Sequence, residues 1–150
     1  AVWAGDRTLK LKASDVAVAV AIEGGLFTPV LRDSEMKSLS ALSVEMKDLA
    51  SRAKERKLAP HEFQGGSFAI SNLGMFGIDE FTAIINTPDA CILAVGGIQQ
   101  VPVVKEGQIV PGNVMKLTLS CDHRVVDGAK GAAFLVTFKQ LMEEPVRILL

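Results

Sequence analysis

Apolar residues along this chain recur mostly at every second position, the period of a half-buried strand, and only two long stretches recur at helical spacing. Arg7-Thr8-Leu9-Lys10-Leu11-Lys12 alternates polar and apolar and predicts a half-exposed strand. Val16, Val18, Val20 and Ile22 alternate with Ala17, Ala19 and Ala21, which predicts a strand buried on both faces. Glu23-Gly24-Gly25 signals a hairpin, and Leu26 to Leu31 returns as a strand that Pro29 confines to an edge or a bulge. Short strands are expected at Ser67 to Ser71, Phe81 to Ile85, Cys91 to Val95 and Gln100 to Val104. A turn at Glu106-Gly107 leads to a long last strand, Asn113 to Cys121.

The first helical stretch opens at Ser38, a plausible N-cap. Leu39, Leu42, Met46, Leu49 and Ala53 form its apolar stripe, and Pro60 ends the segment. Glu45, Lys47, Asp48, Arg52, Lys54 and Glu55 lie opposite and read most simply as a solvated face. The second is the Ala-rich run from Ala129 to Met142, which buries Ala132, Ala133, Val136 and Leu141 or a neighbouring stripe and stops at Pro145. Phe63-Gln64-Gly65-Gly66 and Asn72-Leu73-Gly74-Met75-Phe76-Gly77 are loops. Mostly strands with two substantial helices make an α/β fold, a two-layer sandwich of mixed sheet and helices.

Composition narrows this picture. At 150 residues the chain is one domain by length, and 49% apolar residues supply ample core. The net charge of −1 offers no bulk attraction to nucleic acid or to a membrane surface. Two cysteines and two scattered histidines make neither a disulfide framework nor a zinc spacing, so a reduced, intracellular setting without a metal is expected. Mean hydropathy is +0.31. No run reaches the ~18 apolar residues that span a bilayer, so the surplus points to an interface between subunits. The start, Ala1-Val2-Trp3-Ala4-Gly5, has neither an initiator Met nor an export signal, and is expected to belong to a fragment or a processed product.

Candidate chemistry gathers at Asp122-His123-Arg124-Val125-Val126-Asp127-Gly128, between the last strand and the last helix. His123 is either a satisfied structural histidine or a general base, for which one nitrogen must be free to accept. Asp127 can bind a cation or fix the turn, and Gly128 permits conformations closed to other residues. Ser71 stands at a strand end beside a glycine loop. Its hydroxyl can donate to a developing oxyanion, or Ser71 and Asn72 can simply cap a turn. Cys121 and His123 have strand-like spacing, which would suit a Cys–His hydrolase, although a cysteine in an apolar strand is more often core. Cys91 reads as core, His61 as exposed, and no glycine pattern makes a phosphate loop or a dinucleotide fingerprint.

Four motifs in order resemble the catalytic domain of the 2-oxoacid dehydrogenase acyltransferases: Gly25-Leu26-Phe27-Thr28-Pro29-Val30-Leu31-Arg32-Asp33, Ser71 to Gly77, Phe81-Thr82-Ala83-Ile84-Ile85-Asn86 and Asp122 to Gly128. Ser71 to Gly77, with Ala90-Cys91-Ile92-Leu93, is most similar to the pyruvate dehydrogenase branch. The resemblance implies a chloramphenicol acetyltransferase-like fold, in trimers that build a large symmetric core. It implies transfer of an acetyl group between a lipoyl thioester and coenzyme A as substrate, with no metal. His123 matches the family's base, Ser71 its oxyanion-stabilising hydroxyl, and Asp127 a position that orders the turn through an arginine partner. The implied site lies between subunits, His from one and Ser from the other.

By the same resemblance, the family's domain carries several tens of residues ahead of the position of Ala1, including that arginine. The lipoyl and peripheral-subunit-binding domains, through which decarboxylase and dihydrolipoamide dehydrogenase components would attach, are likewise outside this sequence. The fragment is therefore expected to be poorly active, with Asp127 short of its ion-pair partner. The implied location is cytoplasmic in a bacterium and the mitochondrial matrix in a eukaryote. A chloramphenicol-type acetyltransferase and a catalytically inert scaffold subunit are the competing readings.

Overall fold

The computed structural model describes residues 1–149. Its centre is a five-stranded mixed sheet in the order β6-β3-β7-β8-β9, formed by β3 (Val16–Val18), β6 (Val30–Leu31), β7 (Phe68–Asn72), β8 (Cys91–Lys105) and β9 (Gln108–Cys121). β3, β7 and β8 run parallel, while β6 and β9 run antiparallel to their neighbours. Two small ribbons accompany the sheet: β1 (Val2–Trp3) with β2 (Thr8–Leu9), and β4 (Val20–Ile22) with β5 (Gly25–Phe27). The helices are α1 (Leu39–Lys54), the single turn α2 (Pro60–Phe63) and α3 (Gly128–Glu143).

Val30, Ala17, Ala69 and Ile92 occupy one row across four strands and form a buried cluster. Small residues in this row let the overlying chain approach closely. Phe81 to Ile85 crosses there, packing Ala83 and Ile85 on the cluster, and Ser120 Oγ donates to Ala83 O at 2.8 Å. That segment is expected to be a strand but joins no ladder among the described residues. Its alternation records one buried side, which a chain lying across a sheet face produces as readily as a paired strand.

Other boundaries also shift. The Val16–Ile22 run divides at Ala19, where the chain leaves the central sheet for the β4–β5 ribbon. Ala17 is buried there and Ala21 exposed, so burial on both faces holds for only part of the run. Pro29 divides the returning strand, and β6 takes the sheet edge, as a residue without an N–H requires. Pairing of the Arg7–Lys12 segment is confined to Thr8–Leu9. The two strands expected between Cys91 and Val104 are one, with an irregularity between Val95 and Ile98.

α1 forms as its stripe predicts. Ser38 Oγ accepts from Ala41 N at 3.2 Å, Leu49 and Ala53 are buried, and Leu42 and Met46 half-buried, while Leu39 is exposed. The charged face is not merely solvated: Arg52 ties Asp48 to Glu62 of α2, and its hydrogen bond holds the Glu62 carboxyl down to about 2. Pro60 sits at the start of α2 rather than the end of α1, where its missing N–H costs nothing. In α3 the inward stripe is Gly131, Leu135, Phe138 and Leu141, not Ala132, Ala133 and Val136, which are exposed. Phe134, 41% exposed, nevertheless packs on Phe68 of β7 at a ring separation of 5.6 Å.

Candidate active site

The turn between β9 and α3 is built around Asp122. Its carbonyl accepts from Val125 N and Val126 N, both at 2.9 Å, and its own N–H donates to Ala90 O at 2.8 Å. Its carboxylate takes the Arg124 guanidinium as a fork, at 3.0 Å from Nε to Oδ1 and 2.7 Å from Nη2 to Oδ2. That pairing holds the Asp122 carboxyl down to about 2. Arg124 also lies 5.3 Å over the Trp3 ring, a cation–π contact that anchors the β1–β2 ribbon to the turn. The Asp122–Arg124 fork was not foreseen from the sequence; an acid and a guanidinium two residues apart on a tight turn were its only signal.

His123 is exposed at this turn. It lines a cavity of about 290 Å³ with Cys121, Asp127, Gly128, Gly131 and Leu135. Cys121 and His123 thus line one cavity, although His123 stands on the turn beyond β9 and not in the strand. Asp127 is the N-cap of α3, accepting from Lys130 N at 2.8 Å. That hydrogen bond lowers its pKa and keeps the cap ionised. Among the described residues, its ion-pair partner is Lys130, with Nζ at 3.5 Å, not an arginine.

Ser71 lies elsewhere. It is half-buried near the end of β7 and lines one cavity with Ala69, Ile92 and the Phe81–Asn86 segment, and another with Met46, Ala50 and Met75. The loop after it is closely held. Asn72 Oδ1 accepts from Gly74 N at 2.9 Å, Gly97 N donates to Ile78 O at 2.8 Å, and Leu73 N donates to Val95 O at 3.1 Å. A Cβ on Gly74 would stand 2.7 Å from Gly96 O, and one on Gly96 would overlap Asp79 O. These glycines let the loop dock on the β8 irregularity.

Within one chain, His123 and Ser71 are not brought together. Ser71 shares a row with Ala94 and Thr118, two strands away and three residues before Cys121. Strand rise and spacing put Ser71 about 14 Å from Cys121, and the chain runs on two residues to His123. Ser71 has the parity of Ala69 and Ile92, whereas Cys121 has the parity of Phe68, which packs on α3. The two candidates therefore belong to different cavities, on opposite faces of the sheet.

Residues 1–150 match the model of the 2-oxoacid dehydrogenases acyltransferase (catalytic domain), and the chain belongs to that family. Over 147 residues it is 54% identical to the dihydrolipoyllysine-residue acetyltransferase component of the pyruvate dehydrogenase complex of Rhizobium meliloti, covering 98% of this chain and 33% of the relative. The mitochondrial counterpart from Schizosaccharomyces pombe is 48% identical, with 100% and 32% covered. The chain thus spans about a third of the length of these curated relatives. Among solved structures, the dihydrolipoamide acetyltransferase of Azotobacter vinelandii, studied for the role of a serine, a histidine and an asparagine in catalysis, superposes with a TM-score of 0.92 at 37% identity, covering 97% of this chain and 60% of that one. The cubic core of the pyruvate dehydrogenase multienzyme complex gives 0.92 at 36% identity, with 97% and 60% covered. The fold is that of these acyltransferase cores, as the sequence resemblance implies.

Proposed function

We propose that this chain is part of the catalytic domain of a dihydrolipoyllysine-residue acetyltransferase. It would move acetyl groups between a lipoyl thioester and coenzyme A in a pyruvate dehydrogenase complex. One observation carries the residue assignment. In the Azotobacter protein the named histidine follows the serine by 52 positions and the asparagine follows four later; His123 follows Ser71 by the same 52, and Asp127 stands four later.

In the proposed reaction, His123 takes the proton of the coenzyme A thiol. The thiolate attacks the acetyl carbonyl, and the Ser71 hydroxyl donates to the oxyanion as it forms. Collapse releases the dihydrolipoyl sulfur, which recovers the proton from His123. A base is worth ~10²–10⁴ in rate and an oxyanion donor ~10²–10³. Asp127 caps α3 and so fixes the end of the turn that carries the base.

The placement of Ser71 and His123 in separate cavities supports a site shared by two subunits of a trimer, His from one and Ser from the next, within a larger symmetric core. The remaining components of the complex would attach through other domains of the full-length polypeptide, which would also carry the lipoyl group. The bacterial and mitochondrial relatives support a cytoplasmic or matrix location according to source.

The deciding experiment is His123→Ala, assayed for acetyl transfer from acetyl-coenzyme A to free dihydrolipoamide. Turnover should fall by ~10²–10⁴ with assembly unchanged. Wild-type turnover in the variant removes the base assignment, and wild-type transfer to chloramphenicol in preference to dihydrolipoamide would replace the substrate.

A further inference from the structure

Cys91 and Cys121 face each other across the last rung of the β8–β9 ladder. Their sulfurs are 3.4 Å apart, joined by an S–H···S contact with Cys91 as donor, and both residues are half-buried free thiols. Directly opposed residues of an antiparallel pair have Cα atoms ~4.5–5.5 Å apart, inside the ~4.4–6.8 Å that a disulfide spans. Closing the sulfurs to ~2.05 Å is within reach of side-chain rotation, with the backbone left in register. Nothing in the proposed transfer uses either thiol.

We propose that this pair is an oxidation site, at which hydrogen peroxide converts the Cys91 and Cys121 thiols into a reversible intrachain disulfide. Cys121 lines the His123 cavity, so the oxidant reaches it from there, and Cys91 resolves. The Cys121 sulfur attacks one peroxide oxygen and the O–O bond breaks, giving a sulfenic acid and one water. The Cys91 sulfur then attacks the Cys121 sulfur, the S–O bond breaks, and the hydroxyl leaves with the Cys91 proton as a second water. Two electrons pass from the sulfurs to the peroxide. Burial, with the Cys121 thiol beside it, pushes the Cys91 thiol up to about 12, which argues against Cys91 as the sulfur that first meets the oxidant. In a reducing compartment such a bond is transient, formed under oxidant and opened by dithiols. The sulfur of Cys121 lies 3.8 Å from where a Cβ on Gly131 would stand, so its movement toward Cys91 changes the wall of the cavity that holds His123.

The test is hydrogen peroxide treatment of the chain, alkylation of the remaining thiols, and mass spectrometry of a non-reduced digest. The expected result is simultaneous loss of both thiols to alkylation, a mass lower by two hydrogens, and a linked peptide pair containing Cys91 and Cys121 that dithiothreitol separates. With Cys91→Ser the linked pair should vanish, and Cys121 should instead accumulate as sulfenic or sulfinic acid. Persistence of both free thiols in the wild-type chain, a bond between two chains, or a sulfinic Cys121 beside a free Cys91 would overturn the proposal.

Discussion

His123 and Ser71 carry different shares of the proposed chemistry, and their substitutions should separate. Ser71→Ala removes one hydroxyl donor to an oxyanion that exists only in the transition state, so turnover should drop by ~10²–10³ with the Michaelis constants little changed. Steady-state kinetics for both substrates checks this, and a loss confined to Michaelis constants would make Ser71 a binding residue. A third residue bears on stability. Asp89 is 3% exposed, its Oδ1 has no hydrogen-bond partner among the described residues, and burial pushes its carboxyl from 3.8 up to about 6. Between those values the folded chain keeps a proton that the unfolded chain has released, so stability falls as pH rises and levels off above about 6. The whole effect is about 3 kcal/mol. Asp89→Asn should flatten this slope and raise the melting temperature at pH 8, as thermal unfolding across pH will show; an unchanged slope would place the titration elsewhere.

At the scale of elements, the turn that presents His123 depends on the start of α3. Asp127→Ala should cost about 1 kcal/mol through loss of the cap, and acetyl transfer should fall with it as the turn loosens. Asp127→Asn keeps a capping oxygen and should preserve both, which equilibrium unfolding and the transferase assay can compare. Residues that cap or punctuate were the most legible in the sequence: Ser38 opens α1, and Pro29 confines its strand to an edge. What escaped were positions decided by distant partners. The alternation of Phe81–Ile85 could not distinguish a ladder from a crossing segment. The α3 stripe followed Phe68 and Cys121 rather than the alanines. The Gly74–Gly96 contact joins the loop after β7 to the irregularity in β8, which only the assembled sheet brings together.

For the molecule as a whole, much apolar surface remains open: Ile84 is 92% exposed, and Met36 and Met75 are each 81% exposed. The mean hydropathy of +0.31 pointed to such a surface, which further copies of the chain can cover. Sedimentation should therefore find species heavier than the 16.0 kDa chain; a monomer at every concentration would contradict the proposed trimer. The family and fold were legible because four motifs keep their order, and the roles proposed for Ser71 and His123 rest on the same motifs. The distance between those two residues was not, because it is set by strand register, which no local pattern records.

That distance has a consequence for mixtures. If each site draws His123 from one chain and Ser71 from its neighbour around a three-fold ring, a chain lacking only one of them still offers the other. His123→Ala and Ser71→Ala chains, each inactive alone, would then complement when unfolded and reassembled together. With random assembly of equal amounts, about a quarter of the sites would receive both intact residues. Two defective genes expressed in one cell would yield a partly working enzyme.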